Sequence, residues 1–181
     1  MLIWILIMIG SVLLDQISKL LVDSFLSREE SLDIIGGVLR FTYVENDGAA
    51  FGMLGDHRWV FMILSVLGIA AVLFYMWRYR PESKLACIAL SFIVGGGVGN
   101  MIDRVRLGYV IDFIDFCAFP NLWMWVFNIA DSFVCVGAGM LIFYLIMDII
   151  KEGKQEKLKR EEALCADSAD PKTEQGESEN E

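Results

Sequence analysis

The sequence predicts an all-α membrane protein: four transmembrane helices, with a small extracytoplasmic β-sheet and an interfacial loop or helix on the outer face. Three observations carry that expectation. Hydrophobic residues make up 56% of the 181-residue chain and charged residues only 22%, for a mean hydropathy of +0.53. A soluble domain carries about 45–50% apolar residues even with glycine counted. Four stretches approach the roughly 20 mostly apolar residues that cross a bilayer as a helix. The Lys and Arg residues bordering those stretches gather on one side of a four-span layout, as orientation by the positive-inside rule requires.

Taken in order, the first span covers about residues 2–22 and is interrupted by Asp15, Gln16 and Lys19. It lacks a basic leading region and a small-x-small site after the apolar run, so it reads as a retained span rather than a cleaved signal. Residues 24–58 form a long outer connection, in which Val38 to Glu45 is rich in β-formers between Gly36-Gly37 and Asn46-Asp47-Gly48. That pattern predicts a surface sheet. The second span, about 59–77, contains no charge, and the basic loop Arg78 to Lys84 follows it. The third span, about 85–102, is rich in small residues, and Gly95-Gly96-Gly97 within it predicts close helix packing. It does not fit a phosphate loop, because the spacing is wrong and no lysine follows. The second outer connection, about 103–125, is crowded with aromatic rings, including Phe113, Phe116, Phe119, Trp123 and Trp125, and is expected in the interface plane. The fourth span covers about 126–150.

Residues 1–150 thus form the membrane domain, and 151–181 a charged, largely disordered cytoplasmic tail. Six basic and ten acidic side chains lie from Lys151 onward, so −4 of the formal charge of −9 is in this tail. An acidic balance argues against nucleic acid as a partner, because phosphate binding needs a basic face. Cys87, Cys117, Cys135 and Cys165 show no paired spacing, and His57 is the single histidine. A Cys/His zinc site is therefore not expected, and no metal or cofactor is assigned.

Carboxylates at membrane depth cost roughly 2.5–3.5 kcal/mol on insertion scales and are functional candidates by default. Asp15 and Lys19, four apart, share a helix face and read as an internal ion pair. Asp131 lies about six residues into the fourth span, roughly 9 Å deep at 1.5 Å per residue. No basic residue within a helical turn neutralises it, and a helix-capping role with Ser132 is the competing reading. Asp112 and Asp115 sit among apolar neighbours in Val110 to Phe116. One of them is expected to meet Asp131 across the fold. Two carboxylates in one desolvated site do not both ionise easily, which leaves one acid and one base to direct a water at a peptide carbonyl. Asp103 and Arg104 read either as a solvated interfacial pair or as structural residues beside that site.

Five segments then stand out in order: Asp15-Gln-x-Ser-Lys19, Asn46-Asp-Gly-Ala-Ala-Phe51, Gly99-Asn-x-x-Asp-Arg104, Val110-Ile-Asp-Phe113 and Phe127-Asn-x-Ala-Asp-Ser132. Together they resemble the motifs of the lipoprotein signal peptidase (signal peptidase II) family over about residues 1–150. The resemblance implies a metal-free aspartyl endopeptidase of the bacterial cytoplasmic membrane, with both termini cytoplasmic. It would cut diacylglyceryl-modified prolipoproteins just before the lipidated cysteine, and would be inhibited by globomycin-type peptides. It places the catalytic pair on Asp112 and Asp131. The supporting or substrate-binding set falls on Asp15, Lys19, Asn46, Gly48, Asn100, Asp103, Arg104, Asn128 and Ala130. Asp115 is left as solvated or structural. The expected partners are the prolipoprotein and membrane lipid, with the chain acting as a monomer. The competing classes are a small proton-coupled transporter using Asp15, Lys19 and Asp131 as relay groups, and a non-catalytic scaffold. Asparagine substitution of the aspartate pair separates both from a peptidase.

Overall fold

The computed structural model describes residues 2–26, 30–47, 58–118 and 125–168. Element order is α1 (Leu2–Phe25), β1 (Ser31–Ile35), β2 (Leu39–Asn46), α2 (Arg58–Tyr79), α3 (Lys84–Arg106), β3 (Val110–Phe116), β4 (Val126–Phe127) and α4 (Ile129–Ser168). Four helices contain segments long and apolar enough to cross a membrane: Leu2–Phe25, Met62–Tyr79, Lys84–Arg106 and Ile129–Glu161. Their outward faces are apolar, with Ile5, Leu6, Leu13, Ile63, Leu67 and Val136 all exposed. A hydrocarbon solvent makes that arrangement favourable, since the backbone polar groups are already satisfied within each helix. The chain divides into two compact units, Met1–Leu141 and Ile142–Glu181. The first holds the sheet and the three helices α1–α3 together with the start of α4. In the second, the described residues continue α4.

Within the first unit α3 is the most buried helix, and small residues make it so. A Cβ on Gly95 would lie 2.7 Å from the Ser11 Cβ of α1, and one on Gly99 would lie 2.5 Å from Asp15 Oδ2. On the α4 side, a Cβ on Gly96 would run into the Ala130 carbonyl, and one on Gly137 would lie 2.6 Å from the Ala89 carbonyl oxygen. Interhelical contact in a bilayer depends on such close approach. Ser83 caps the helix by accepting from the Ala86 amide at 3.3 Å. Gly108, with φ 92°, turns the chain from the end of α3 into β3.

The sheet is antiparallel in the order β1-β2-β3-β4. The β-rich run after Gly36-Gly37 becomes β2, and Gly37, with φ 71°, closes the hairpin to β1. The aromatic connection after α3 contributes a strand that its composition did not single out. Val110–Phe116 pairs along β2, from Asn46 opposite Val110 to Leu39 opposite Phe116. Beneath the sheet, Val22, Tyr43, Ile111 and Phe113 form a core that joins it to the end of α1, with Phe41 edge-on to Phe113 at 5.6 Å.

Candidate active site

Four elements bring the polar residues together. Asp112 is central to β3, opposite Val44. Next to that pair, Thr42 and Tyr43 of β2 both face Phe113, a β-bulge of the kind that redirects side chains beside functional sites. Strand alternation puts Asp112 and Asp115 on opposite faces, because they are an odd number of residues apart. Asp112 turns inward and is 2% exposed. Asp115 turns to the other face, where it pairs with Arg40 Nε at 2.6 Å and accepts from Thr42 at 3.2 Å. Of the two acids, Asp112 is the one that turns toward Asn128, and Asp115 turns toward Arg40.

Asn128 connects Asp112 to Asp131. Its Nδ2 donates to Asp112 Oδ1 at 2.6 Å and lies 3.0 Å from Asn100 Oδ1. Asn128 also precedes α4 as its N-cap. Its Oδ1 accepts from the Asp131 amide at 2.9 Å, while Asp131 Oδ2 accepts from the Asn128 amide at 3.3 Å. This reciprocal pair is a capping box, which satisfies amides that a helix start leaves unpaired. Asp131 therefore caps its helix and faces the site at once, since its other oxygen accepts from Asn100 Nδ2 at 2.7 Å. Asn46 completes the surroundings of Asp112 by donating to Oδ2 at 2.8 Å.

Behind these groups lies a buried charge cluster. The Lys19 ammonium, 2% exposed, has its three donors matched by Asp15 Oδ2 at 2.9 Å, Asp103 Oδ2 at 2.7 Å and Asn100 Oδ1 at 3.0 Å. Asp15, 0% exposed, also accepts from the Ala130 amide at 2.9 Å, fastening the first turn of α4 to α1. Asp103 accepts from the Ile111 amide at 3.3 Å and so fastens β3 to α3. It is a buried structural acid rather than half of a solvated pair with Arg104. Arg104 lies within electrostatic reach of Asp131, Asp112 and Asp103, and its Nη1 is 3.4 Å from the Asn100 carbonyl. Ala130 acts through its backbone, and its side chain, fully buried, lies against the position a Gly99 Cβ would take. Gly48 lies outside the described residues.

One participant was not singled out by sequence reasoning. Gln16 Nε2 lies 2.9 Å from Asp103 Oδ1, 3.2 Å from the Gly99 carbonyl and 3.2 Å from Asp15 Oδ2. The available signal was its place within the polar interruption of an otherwise apolar span.

Burial pushes the Asp112 carboxyl up from 3.8 to about 6, and the neighbouring charge of Asp131 adds to the effect. Hydrogen bonds from Asn46 and Asn128 and the positive charge of Lys19 oppose it. The wider balance has the same sign. With every group ionised, Asp15, Asp103, Asp112 and Asp131 outnumber Lys19 and Arg104 by two charges, so one retained proton relieves the site. The arrangement offers a buried carboxylate, Asp112, and a half-buried one, Asp131, joined by amides and flanked by a guanidinium.

Three comparisons bear on this geometry. The family model described as signal peptidase (SPase) II matches residues 7–147. The lipoprotein signal peptidase of Halothermothrix orenii is 45% identical over 134 residues, covering 74% of this chain and 88% of that one. The lipoprotein signal peptidase of Caldanaerobacter subterraneus subsp. tengcongensis is 47% identical over 135 residues, covering 75% and 90%. A bacterial membrane enzyme solved by the in meso method at 1.9 Å resolution superposes with a TM-score of 0.74 at 32% identity, over 80% of this chain and 93% of that one.

Proposed function

The chain belongs to the signal peptidase II family, and from that premise we infer that it works as an aspartic endopeptidase built on Asp112 and Asp131. It removes signal peptides from diacylglyceryl-modified prolipoproteins, cutting just before the lipidated cysteine. The observation that carries this reading is the Asn128 bridge. One residue donates its side chain to Asp112 at 2.6 Å and its backbone amide to Asp131 at 3.3 Å, so both carboxylates are held about one point.

In the mechanism we infer, one carboxylate takes a proton from water as its oxygen attacks the scissile carbonyl. The other, protonated, donates to the carbonyl oxygen; as the C–N bond breaks, the first carboxylate passes the proton it took from water to the leaving amine, and the second recovers its own from the diol as the carbonyl reforms. Burial and the neighbouring Asp131 charge favour Asp112 as the member that keeps the proton. Arg104 offsets negative charge that develops during the reaction. Asn100 is fixed by Lys19 through its oxygen and presents its amide to Asp131. Asn46 holds Asp112 from the sheet side, and Gly48 follows it two positions on in the sequence.

The sidedness of the chain supports the same reading. Arg78, Arg80 and Lys84 lie between α2 and α3, and Lys151, Lys154, Lys157, Lys159 and Arg160 follow the apolar part of α4. In a four-span layout both groups share the cytoplasmic side, together with both termini, and the dyad faces the outer surface of the cytoplasmic membrane. All site residues come from one chain, consistent with a monomer whose partners are the prolipoprotein and surrounding lipid. Globomycin-type peptides inhibit by occupying the dyad.

The test is cleavage of a diacylglyceryl-modified prolipoprotein by the purified protein under excess chelator, beside Asp112→Asn and Asp131→Asn. The wild type should cut, and each folded variant should lose about 10²-fold or more of its rate, the scale of general acid–base catalysis. Full activity in either variant would remove that residue from the dyad. Loss of wild-type cleavage on chelation would overturn the metal-free mechanism.

A further inference from the structure

Beside the carboxylate site, a cleft of about 430 Å³ opens where α2 begins and α3 ends, lined among others by Trp59, Met62, Arg104, Arg106 and Gly108. Its volume falls in the range of small-molecule sites, about 300–1,000 Å³. We propose that this cleft holds the phosphodiester headgroup of an anionic membrane phospholipid, with Arg106 as the principal anchor and Trp59 at its side.

The depth is right for a headgroup, because the cleft lies at the ends of two helices that cross the membrane. Its two cations are differently committed. Arg104 faces the carboxylates of Asp131, Asp112 and Asp103. Arg106 is exposed, and no ion pair among the described residues involves it. Offsetting the helix-end dipole does not require Arg106, since Arg104 already lies in the same last turn. A guanidinium matches phosphate oxygens with paired N–H donors.

The surroundings favour a lipid over a free anion. Below Trp59, α2 presents Ile63, Val66 and Leu67, all exposed and at spacings of four, seven and eight residues. That spacing lines up one helix face as a lane for an acyl chain. The diacylglyceryl group of the inferred substrate carries no phosphate, so this guanidinium has no counterpart on it. The proposal rests on the membrane-spanning helices rather than on peptidase chemistry, and its test reads binding rather than cleavage.

The full-length protein in detergent is titrated with phosphatidylglycerol, phosphatidylcholine or inorganic phosphate, and retained lipid is counted by native mass spectrometry. Phosphatidylglycerol should be retained in preference to phosphatidylcholine. Arg106→Gln should weaken its binding about tenfold, the worth of a charge-assisted hydrogen bond. Lys84→Gln, an equal charge change at the far end of α3, should leave it unaltered. Brominated phosphatidylglycerol should quench a part of the tryptophan fluorescence that Trp59→Phe removes. Undiminished binding by Arg106→Gln would overturn the proposal. So would phosphate that competes as well as the lipid, which would make the cleft a free-anion site.

Discussion

Replacing Lys19 with methionine tests the charge cluster most directly. The substitution keeps the unbranched apolar stem of the side chain and removes an ammonium whose three contacts, to Asp103, Asp15 and Asn100, lie at 2.7, 2.9 and 3.0 Å. Asp15 and Asp103, 0% and 2% exposed, then lose the cation they share. Breaking a buried pair by deleting one partner costs about 3–5 kcal/mol, because the remaining charge stays buried without compensation. The Ala130, Ile111 and Gln16 donors still reach the two carboxylates, which places the expectation toward the lower figure. For a chain of this size each kcal/mol shifts the thermal midpoint by roughly 2–4 °C, so a fall of roughly 6–12 °C in detergent is expected. Prolipoprotein cleavage should fall with it, since Asn100 loses one of the two donors that hold its oxygen while its amide meets Asp131. Adding Asp103→Asn to Lys19→Met removes one uncompensated charge and should recover part of the midpoint. A single variant within about 1 °C of wild type, or a double variant less stable than the single, would refute the reasoning.

Four other outcomes follow from the same geometry. Gly99→Ala places a Cβ 2.5 Å from Asp15 Oδ2, so it should destabilise the protein and depress cleavage. Gly68→Ala meets nothing within 4 Å and should be neutral or stabilising by up to about 1 kcal/mol in a thermal melt. Because the Asp112 pKa is raised on folding, its contribution to stability is fully present below pH 3.8 and is lost as pH rises through about 6. Relative to Asp112→Asn, the wild type should therefore lose on the order of 3 kcal/mol between pH 4 and 7, measured from paired melts. Asp115→Asn breaks a pair whose arginine is 44% exposed, and should change stability by less than about 1 kcal/mol while leaving cleavage within twofold.

The helices were legible because hydrocarbon solvent imposes one requirement on every spanning segment, and the apolar runs state it directly. The strand Val110–Phe116 was harder to read. Both its faces carry apolar residues, so the period-two signal is weak, and its pairing with β2 depends on a contact some 70 residues away. The resemblance supplied the residues of the site, whereas their connections came only from the fold. Asp103 and Arg104 are adjacent in the chain, yet Asp103 pairs with Lys19 and Arg104 lies at the Asn100 carbonyl, within electrostatic reach of Asp112 and Asp131. Asp131 showed why its two readings were hard to separate, since capping and exposure to the site are functions of different oxygens. Gln16 was overlooked because an uncharged amide in an apolar span resembles a tolerated interruption until its three acceptors are in place.

The reciprocal bonds between Asn128 and Asp131 have a consequence for how the protein fails on heating. The first turn of α4 is closed by Asn128 and Asp131, the second of which belongs to the inferred dyad, and it is fastened to α1 through Asp15 and the Ala130 amide. Helix ends are where local opening begins, at a free energy well below that of global unfolding. Fraying of this turn disassembles the inferred catalytic geometry while all four spans stay in the bilayer. Thermal inactivation should therefore begin below the temperature at which helix content is lost, and it should be reversible on cooling, since the membrane domain has not come apart.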